Sequence, residues 1–325
     1  MRSRWQGFCG PLGSEMRAFV DGKRALGNRY VTEENALRGF DAFLSQRGVA
    51  GAADVTPEII EAFLTARSYR ARNYNMLLGA VRLFFDWLVR QDRLPRSPVR
   101  ARRRRETSRR IPYLLDATEA RRLLEVAGNL PDRPQAPMRG PTYKTIFALL
   151  YGLGLRVGEV SRLTIGDVDF SRQLLVVRGT KFGKSRLVPF GPRIGAMLRG
   201  FPRLQGGALP SNARVFSFLR GGAVHPATIS QTFHRLVPQL GLSLAAGVAP
   251  PRLHDLRHAF AVGTLFRWYR EGVAPATRLF HLSTFLGHVS PTSTAVYLTM
   301  TSELLAAANR RFEGFAGSAL EGVSP

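Results

Sequence analysis

Residues 178–190 read RGTKFGKSRLVPF, and two folds compete for them. A glycine followed closely by Gly183-Lys184-Ser185 looks like the phosphate loop of a nucleotide-binding α/β protein. That loop needs four residues between its first glycine and the Gly-Lys-Ser/Thr, and only Thr180, Lys181 and Phe182 stand there. It must also open a helix whose N-terminal amides hold phosphate. Here Ser185 leads instead into Arg-Leu-Val-Pro-Phe, a short strand-like run closed by proline. With Leu174-Leu-Val-Val before it, the segment is predicted to be a β-hairpin carrying Lys181 and Lys184 at its tip. The fold class that follows is mainly α with a small antiparallel β-sheet, an α+β protein. The hairpin lysines then need a partner other than a nucleotide.

The rest of the chain names the kind of partner. Its 325 residues carry 47 Lys and Arg against 23 Asp and Glu, a formal charge of +24. Such an excess matches a polyanion, DNA or RNA, with an anionic membrane surface as the alternative. No sustained apolar run suggests a membrane span, and residues 1–6 lead into no secretory signal, so a cytoplasmic protein is expected. Cys9 is the only cysteine, which excludes an internal disulfide and any Cys-cluster zinc site. The six histidines are scattered without a His-Glu-x-x-His pair, so no metal site is expected. Phosphate chemistry would rest on organic cations or a loosely held magnesium.

Three helical patterns open the chain, roughly residues 32–46, 56–66 and 72–90, the third with Leu77, Val81, Phe84, Phe85 and Leu88 as an apolar stripe. These are assigned to a helical domain over residues 15–92, after an N-terminal tail at 1–14. The composition then changes sharply. Arginines and prolines crowd residues 93–110, including Arg102, Arg103, Arg104 and Arg105, a composition that argues against a packed element. This stretch is read as a linker that touches phosphates. A second domain is expected over residues 111–312, with a tail at 313–325. It opens with a capping box, Asp116-x-x-Glu119. A Pro-rich loop at 131–141 and a helix ended by Gly152 and Gly154 come next.

Three clusters in this second domain hold residues suited to phosphate chemistry. Arg156 follows the glycine-terminated helix at the mouth of the next one, where it can present a forked guanidinium to an anion, with Glu159 one turn later to hold it. His254, Arg257 and His258 share one helix face by their i, i+3, i+4 spacing, with Asp255 beside them. Leu286-Gly287-His288 ends one helix, Ser290-Pro291 begins another, and Tyr297 lies about two turns into it.

In chain order, Arg156, a hairpin lysine, His254-x-x-Arg257, Leu-Gly-His288 and Tyr297 nine residues later resemble the tyrosine recombinases, the phage-integrase and Xer-like enzymes. The resemblance covers essentially the whole chain. It implies a helical SAM-like core-binding domain that grips DNA and a catalytic domain that cleaves and rejoins DNA through a 3′-phosphotyrosine. Arg156 and Arg257 then match the two catalytic arginines, His254 and His288 the histidines, and Tyr297 the nucleophile. Aligning Arg186-Leu-Val-Pro with the family's hairpin pattern makes Lys181 the catalytic lysine, with Lys184 as the alternative or else a phosphate contact, and Arg186 a DNA contact. Thr180 and Phe182 depart from the glycines usual there. Glu159, Asp255 and His258 are supporting residues.

No cofactor is implied, because the phosphotyrosine stores the energy of the broken bond. The implied partner is double-stranded DNA, bound by four protomers in a synapse. Two segments, 131–141 and 267–284, look longer than in compact Xer-like members and resemble integrases borne on transposons and genomic islands. A type IB topoisomerase and a non-catalytic DNA-binding accessory protein are the competing readings. The separate helical domain and the linker favour recombination over the first, and the complete residue set argues against the second.

Overall fold

The computed structural model describes residues 7–28, 30–66, 69–105, 112–179, 185–201, 209–218, 222–244, 249–273, 275–288, 292–295 and 297. The chain divides into two compact units, residues 1–109 and 110–325.

The first unit packs four helices: α1 (Gly13–Ala25), α2 (Val31–Gln46), α3 (Pro57–Thr65) and α4 (Ala71–Arg90). Thr56 Oγ1 accepts from the Ile59 amide and Pro57 occupies the first turn of α3, where its missing N–H costs nothing. Helix α4 buries Leu77, Leu78, Val81, Phe84, Phe85 and Leu88. The core also takes in Phe8 and Leu12, which the sequence reading left in an N-terminal tail. Their entry is fixed by Asp41, almost fully buried, whose carboxylate accepts from the Gly10 and Leu12 amides at 2.7 and 3.1 Å. A Cβ at Gly10 would stand 2.5 Å from Asp41 O, so the chain can pass there only as glycine.

Residues 94–105, expected to be unpacked, lie docked on this same unit. Leu94 is buried, and Val99 and Ala101 pack against the helical core. Asn75 of α4 takes Arg104 as a strand would, donating to its carbonyl and accepting from its amide at 2.8 Å each. Arg82 donates to Ala101 O, and the Arg104 guanidinium sits 3.8 Å above the Tyr74 ring. Like charges do not prevent docking here because side chains on α4 satisfy the extended backbone, while Arg102 to Arg105 remain exposed. The Asn75 and Arg82 partners lie far upstream in sequence, where composition gives no hint of them. The remainder of the Arg-rich stretch falls outside the described residues.

The second unit is built on α6 (Arg139–Gly152), which buries residues on all faces, including Tyr143, Ile146, Phe147 and Leu150. Helix α5 (Ala117–Gly128) is capped as expected. Asp116 Oδ1 accepts from the Thr118 and Glu119 amides at 2.8 Å, and Glu119 Oε2 accepts from the Asp116 amide at 2.9 Å. Helix α6 starts inside the segment read as a Pro-rich loop, because proline is tolerated in a first turn and Gly140 lets α6 approach α5 closely. A Cβ at Gly140 would lie 2.2 Å from Gly128 O.

After α7 (Val157–Arg162), strands β1 (Val168–Asp169), β2 (Leu174–Val177) and β3 (Arg186–Pro189) form an antiparallel sheet in the order β1-β2-β3. The register pairs Leu175 with Val188 and Val177 with Arg186. The segment is therefore a hairpin and not a phosphate loop, although Lys181 and Lys184 at its tip lie outside the described residues. Helices α8 (Pro192–Arg199), α9 (Pro226–Leu236), α10 (Asp255–Arg270), α11 (Pro275–Leu286) and the single turn α12 (Thr292–Ala295) complete the unit. Tyr297 follows α12, and residues 291 and 296, which the expected two-turn helix would include, lie outside the described residues. The segment 267–284 is occupied by the end of α10 and most of α11.

Candidate active site

The site assembles on the C-terminal turn of α11. A helix leaves its last carbonyls without intrahelical partners and carries partial negative charge there, and Gly287, at φ +66°, turns the chain away. Three successive carbonyls each receive an arginine: Phe285 O accepts from Arg186 Nε at 2.7 Å, Leu286 O from Arg257 Nη2 at 2.6 Å, and Gly287 O from Arg156 Nη2 at 2.8 Å. Arg257 also donates through Nη1 to Gly154 O. Cations lying 29, 99 and 131 residues upstream of the carbonyls they meet are thus gathered at one helix end.

Glu159 ties two of them together. Its Oε1 accepts from Arg156 Nη1 at 2.8 Å and Arg186 Nη1 at 3.0 Å, and its Oε2 accepts from Arg186 Nη2 and from the Arg156 amide, both at 2.9 Å. Burial alone would raise its pKa, but the bonds and charge of Arg186 and then of Arg156 hold the carboxyl down at about 2. Arg257, 2 % exposed, is lowered to about 10 by burial first and then by the charge of Arg156, and so stays protonated at neutral pH. A guanidinium has five N–H donors, so the contacts above leave Arg156 and Arg257 further donors for an anion. Arg156, with a third of its side chain exposed, opens toward solvent.

A tyrosine and three histidines complete the cluster. Tyr297 is 3 % exposed. Burial raises its pKa while the charges of Arg257 and Arg156 pull it down. His258 Nδ1 lies 3.0 Å from Tyr297 Oη. The His288 ring runs nearly parallel to the phenol with centroids 6.2 Å apart, and its Nδ1 meets Thr294 Oγ1 at 2.7 Å. His254 faces His258 edge-on at 4.7 Å between centroids. His254 and His288 are both held at about 4, by burial first, then by His258 and Arg257 for the former and by Arg257 and Arg156 for the latter. All three rings are therefore neutral near pH 7, the third because burial also lowers His258.

Of the residues singled out by the sequence, Arg156, Glu159, His254, Arg257, His258, His288 and Tyr297 come together here. Asp255 is fully buried but turned toward Arg252, whose amide and Nη2 it holds at 2.9 and 3.0 Å. Arg186, expected as a DNA contact, is instead turned inward: its side chain is 9 % exposed, and its Nε, Nη1 and Nη2 donate to Phe285 O and to the two Glu159 oxygens. The carbonyls of residues 285–287 escaped sequence reasoning because a backbone acceptor carries no residue signature. Arg102 to Arg105 belong to the first unit. Among the described residues no group of three His, Cys, Asp or Glu side chains is placed to hold a metal ion, and no helix is long and apolar enough to cross a membrane.

A buried tyrosine ringed by arginines and neutral histidines, on a helical unit with one small sheet, defines a phosphodiester-handling site of the tyrosine recombinase kind. The sequence profile of the phage integrase family matches residues 114–303, and the chain belongs to that family, the tyrosine recombinases, enzymes that cleave and rejoin DNA. It is 37 % identical over 313 residues to y4rB of Sinorhizobium fredii, an integrase/recombinase by name, across 92 % of this chain and 96 % of that protein. It is 31 % identical over 273 residues to the tyrosine recombinase XerC of Xanthomonas campestris pv. campestris, covering 83 % of this chain and 78 % of the other. The fold is shared with the Tn1549 transposon integrase in complex with transposon right end DNA, at a TM-score of 0.63 and 18 % identity, over 93 % and 99 % of the two chains.

Proposed function

We propose that this chain is a site-specific recombinase acting on double-stranded DNA through a 3′-phosphotyrosine intermediate. The observation that carries the reading is the convergence of Arg156 and Arg257 on one helix end with Tyr297 beside them.

Cleavage of a phosphodiester needs an in-line nucleophile, neutralisation of the non-bridging oxygens and a proton for the leaving alkoxide. Tyr297 supplies the nucleophile. Arg156 and Arg257, pre-positioned by carbonyls and by Glu159, neutralise the non-bridging oxygens, and fixed cations of this kind stabilise the transition state without reorganising. His254 and His288 donate hydrogen bonds to the phosphate from neutral rings. Lys181 is the general acid for the 5′ oxygen, a role supported by its place in the hairpin sequence. Asp255 holds Arg252 and with it the N-terminal end of α10.

Arg102, Arg103 and Arg105, with Lys184, contact DNA phosphates, and four protomers assemble on two sites in the bacterial cytoplasm at the nucleoid. Rejoining draws on the stored phosphotyrosine bond and uses no ATP.

The test uses nicked suicide duplexes tiled across the DNA that flanks the gene, incubated with chelator in place of magnesium. A covalent protein–DNA adduct is expected from the wild-type chain and none from Tyr297→Phe, which should still bind. An adduct from the variant would remove Tyr297 as nucleophile, and site-independent relaxation of plasmid would mark a topoisomerase.

A further inference from the structure

A phenol attacking phosphorus must lose its proton, and the three histidines around Tyr297 are not equivalent for receiving it. With the phenol almost fully buried, solvent has little access to the hydroxyl. Among the described residues, His258 brings a ring nitrogen to it, Nδ1 at 3.0 Å, within the range for direct proton transfer. His288 lies alongside the ring rather than in front of the oxygen and has its Nδ1 engaged by Thr294, which is fully buried. His254 touches His258 and not the phenol.

The i, i+4 spacing placed His254 and His258 on one face of α10 but did not say which reaches the tyrosine. The turn of α10 decides it. His254 stands at the helix N-cap, and His258, one turn in, projects where the chain returns after α12. His258 is also in the right state to accept. Burial keeps its imidazole neutral, with Arg252 and Arg257 acting in the same sense and Asp255 opposing them, itself held by Arg252.

Resting on the recombinase reading above, we infer that His258 is the proton acceptor for Tyr297 and therefore a catalytic residue. Its Nδ1 carries the lone pair and its Nε2 the hydrogen. As Tyr297 Oη forms the new bond to phosphorus, the phenolic hydrogen passes to Nδ1 while the bond from phosphorus to the 5′ oxygen breaks, and that oxygen takes a separate proton from the general acid. In rejoining, the 5′-hydroxyl attacks phosphorus, and the imidazolium of His258 returns its proton to Tyr297 as the phenol leaves.

Single-turnover adduct formation on the nicked duplexes, followed from mildly acid to mildly alkaline pH, tests this with His258→Ala and His258→Gln. His258→Ala should react about 10²-fold more slowly or worse at neutral pH with DNA affinity kept. Its rate should climb about tenfold per pH unit as phenolate forms unaided, and added imidazole should restore it in proportion to the neutral base. Glutamine can hold the hydroxyl but cannot take its proton, so His258→Gln should be as slow, and it serves if the alanine variant does not fold. A glutamine variant at wild-type rate, or an alanine variant with the wild-type pH profile and no response to imidazole, overturns the inference while leaving the recombinase reading intact. Absence of any adduct from the wild-type chain on all tiled duplexes overturns both.

Discussion

Glu159 and Arg186 meet through two hydrogen bonds of 3.0 and 2.9 Å, with only 3 % and 9 % of the respective side chains exposed. The pair joins strand β3 of the hairpin to the first turn of α7, and so couples that strand to Arg156. Breaking a buried ion pair outright typically costs about 3–5 kcal/mol, but Arg156 still serves the Glu159 carboxylate when Arg186 is gone. Arg186→Ala should therefore lower unfolding stability by less than that, about 1–3 kcal/mol, and Arg186→Lys should recover only part, since one ammonium cannot replace the fork. Denaturant unfolding measures this. A variant with unchanged stability but weaker, less salt-dependent DNA binding would return Arg186 to the DNA surface.

Gly154 is where α6 hands over to the Arg156 turn. Its φ is +58°, and an added Cβ would stand 2.5 Å from Phe260 Cδ1 and 2.9 Å from Leu286 Cδ2. Its carbonyl also receives Arg257. Gly154→Ala combines left-handed strain with overpacking, together about 2–4 kcal/mol, and displaces a carbonyl that aims Arg257. Adduct formation should fall more than DNA binding does, a contrast read by comparing cleavage rate with gel-shift affinity. Equal losses in both would make the glycine merely structural.

Acid should destabilise the second unit in two stages. His254 and His288 titrate at about 4 when folded against 6.5 when unfolded. Between those values the unfolded chain binds protons that the native chain does not, so stability present above pH 6.5 is lost as pH falls toward 4. Glu159 acts in the same direction at lower pH. With a folded value of about 2 against 4.5, its contribution, on the order of 3 kcal/mol, holds above 4.5 and disappears as pH falls through about 2. Urea midpoints across this range should drop first near neutral-to-acid pH, and His254→Asn with His288→Asn should flatten that first limb. A limb unaffected by the double variant would place the titration elsewhere.

The arginines of residues 102–105 divide by their contacts. All four are exposed, but Arg104 is held through its backbone by Asn75 and stacks on Tyr74. If Arg102, Arg103 and Arg105 each neutralise a phosphate, their joint replacement by alanine should reduce the slope of log affinity against log salt by about 0.9 per contact. Asn75→Ala should weaken DNA binding with that slope nearly intact, because it frees the segment without removing charge. Filter binding over a salt series distinguishes the two patterns, and an unchanged slope in the triple variant would remove the segment from the interface.

Much of the fold was legible where a single local rule governs. The period of the apolar residues in α2, α3 and α4 placed those helices within a residue or two, and the Asp116–Glu119 box marked the start of α5. Proline after Arg186-Leu-Val closed β3 as the hairpin reading required. What escaped depended on distant partners. Helix α1 was missed because its apolar residues are few and its burial relies on α2 and α4. The docking of residues 94–105 was missed because Asn75 and Arg82, not the segment's own composition, supply its hydrogen bonds.

The hairpin lysines, the order of Arg156, His254, Arg257, His288 and Tyr297, and the polyanion-seeking charge were fixed by covalent sequence alone. Residue type and spacing carry that much because chemistry needs particular side chains and a helix repeats predictably. Which arginine opens to solvent, which turns inward and which histidine reaches the tyrosine were decided by the tertiary structure. Arg156 and Arg186 are both arginines near a glycine-rich turn, yet one opens to solvent and the other is spent on Glu159 and Phe285 O. The reason is that a buried carboxylate and a helix end with unpaired carbonyls each demand cations, and only the packed chain determines how many of those demands each arginine must meet.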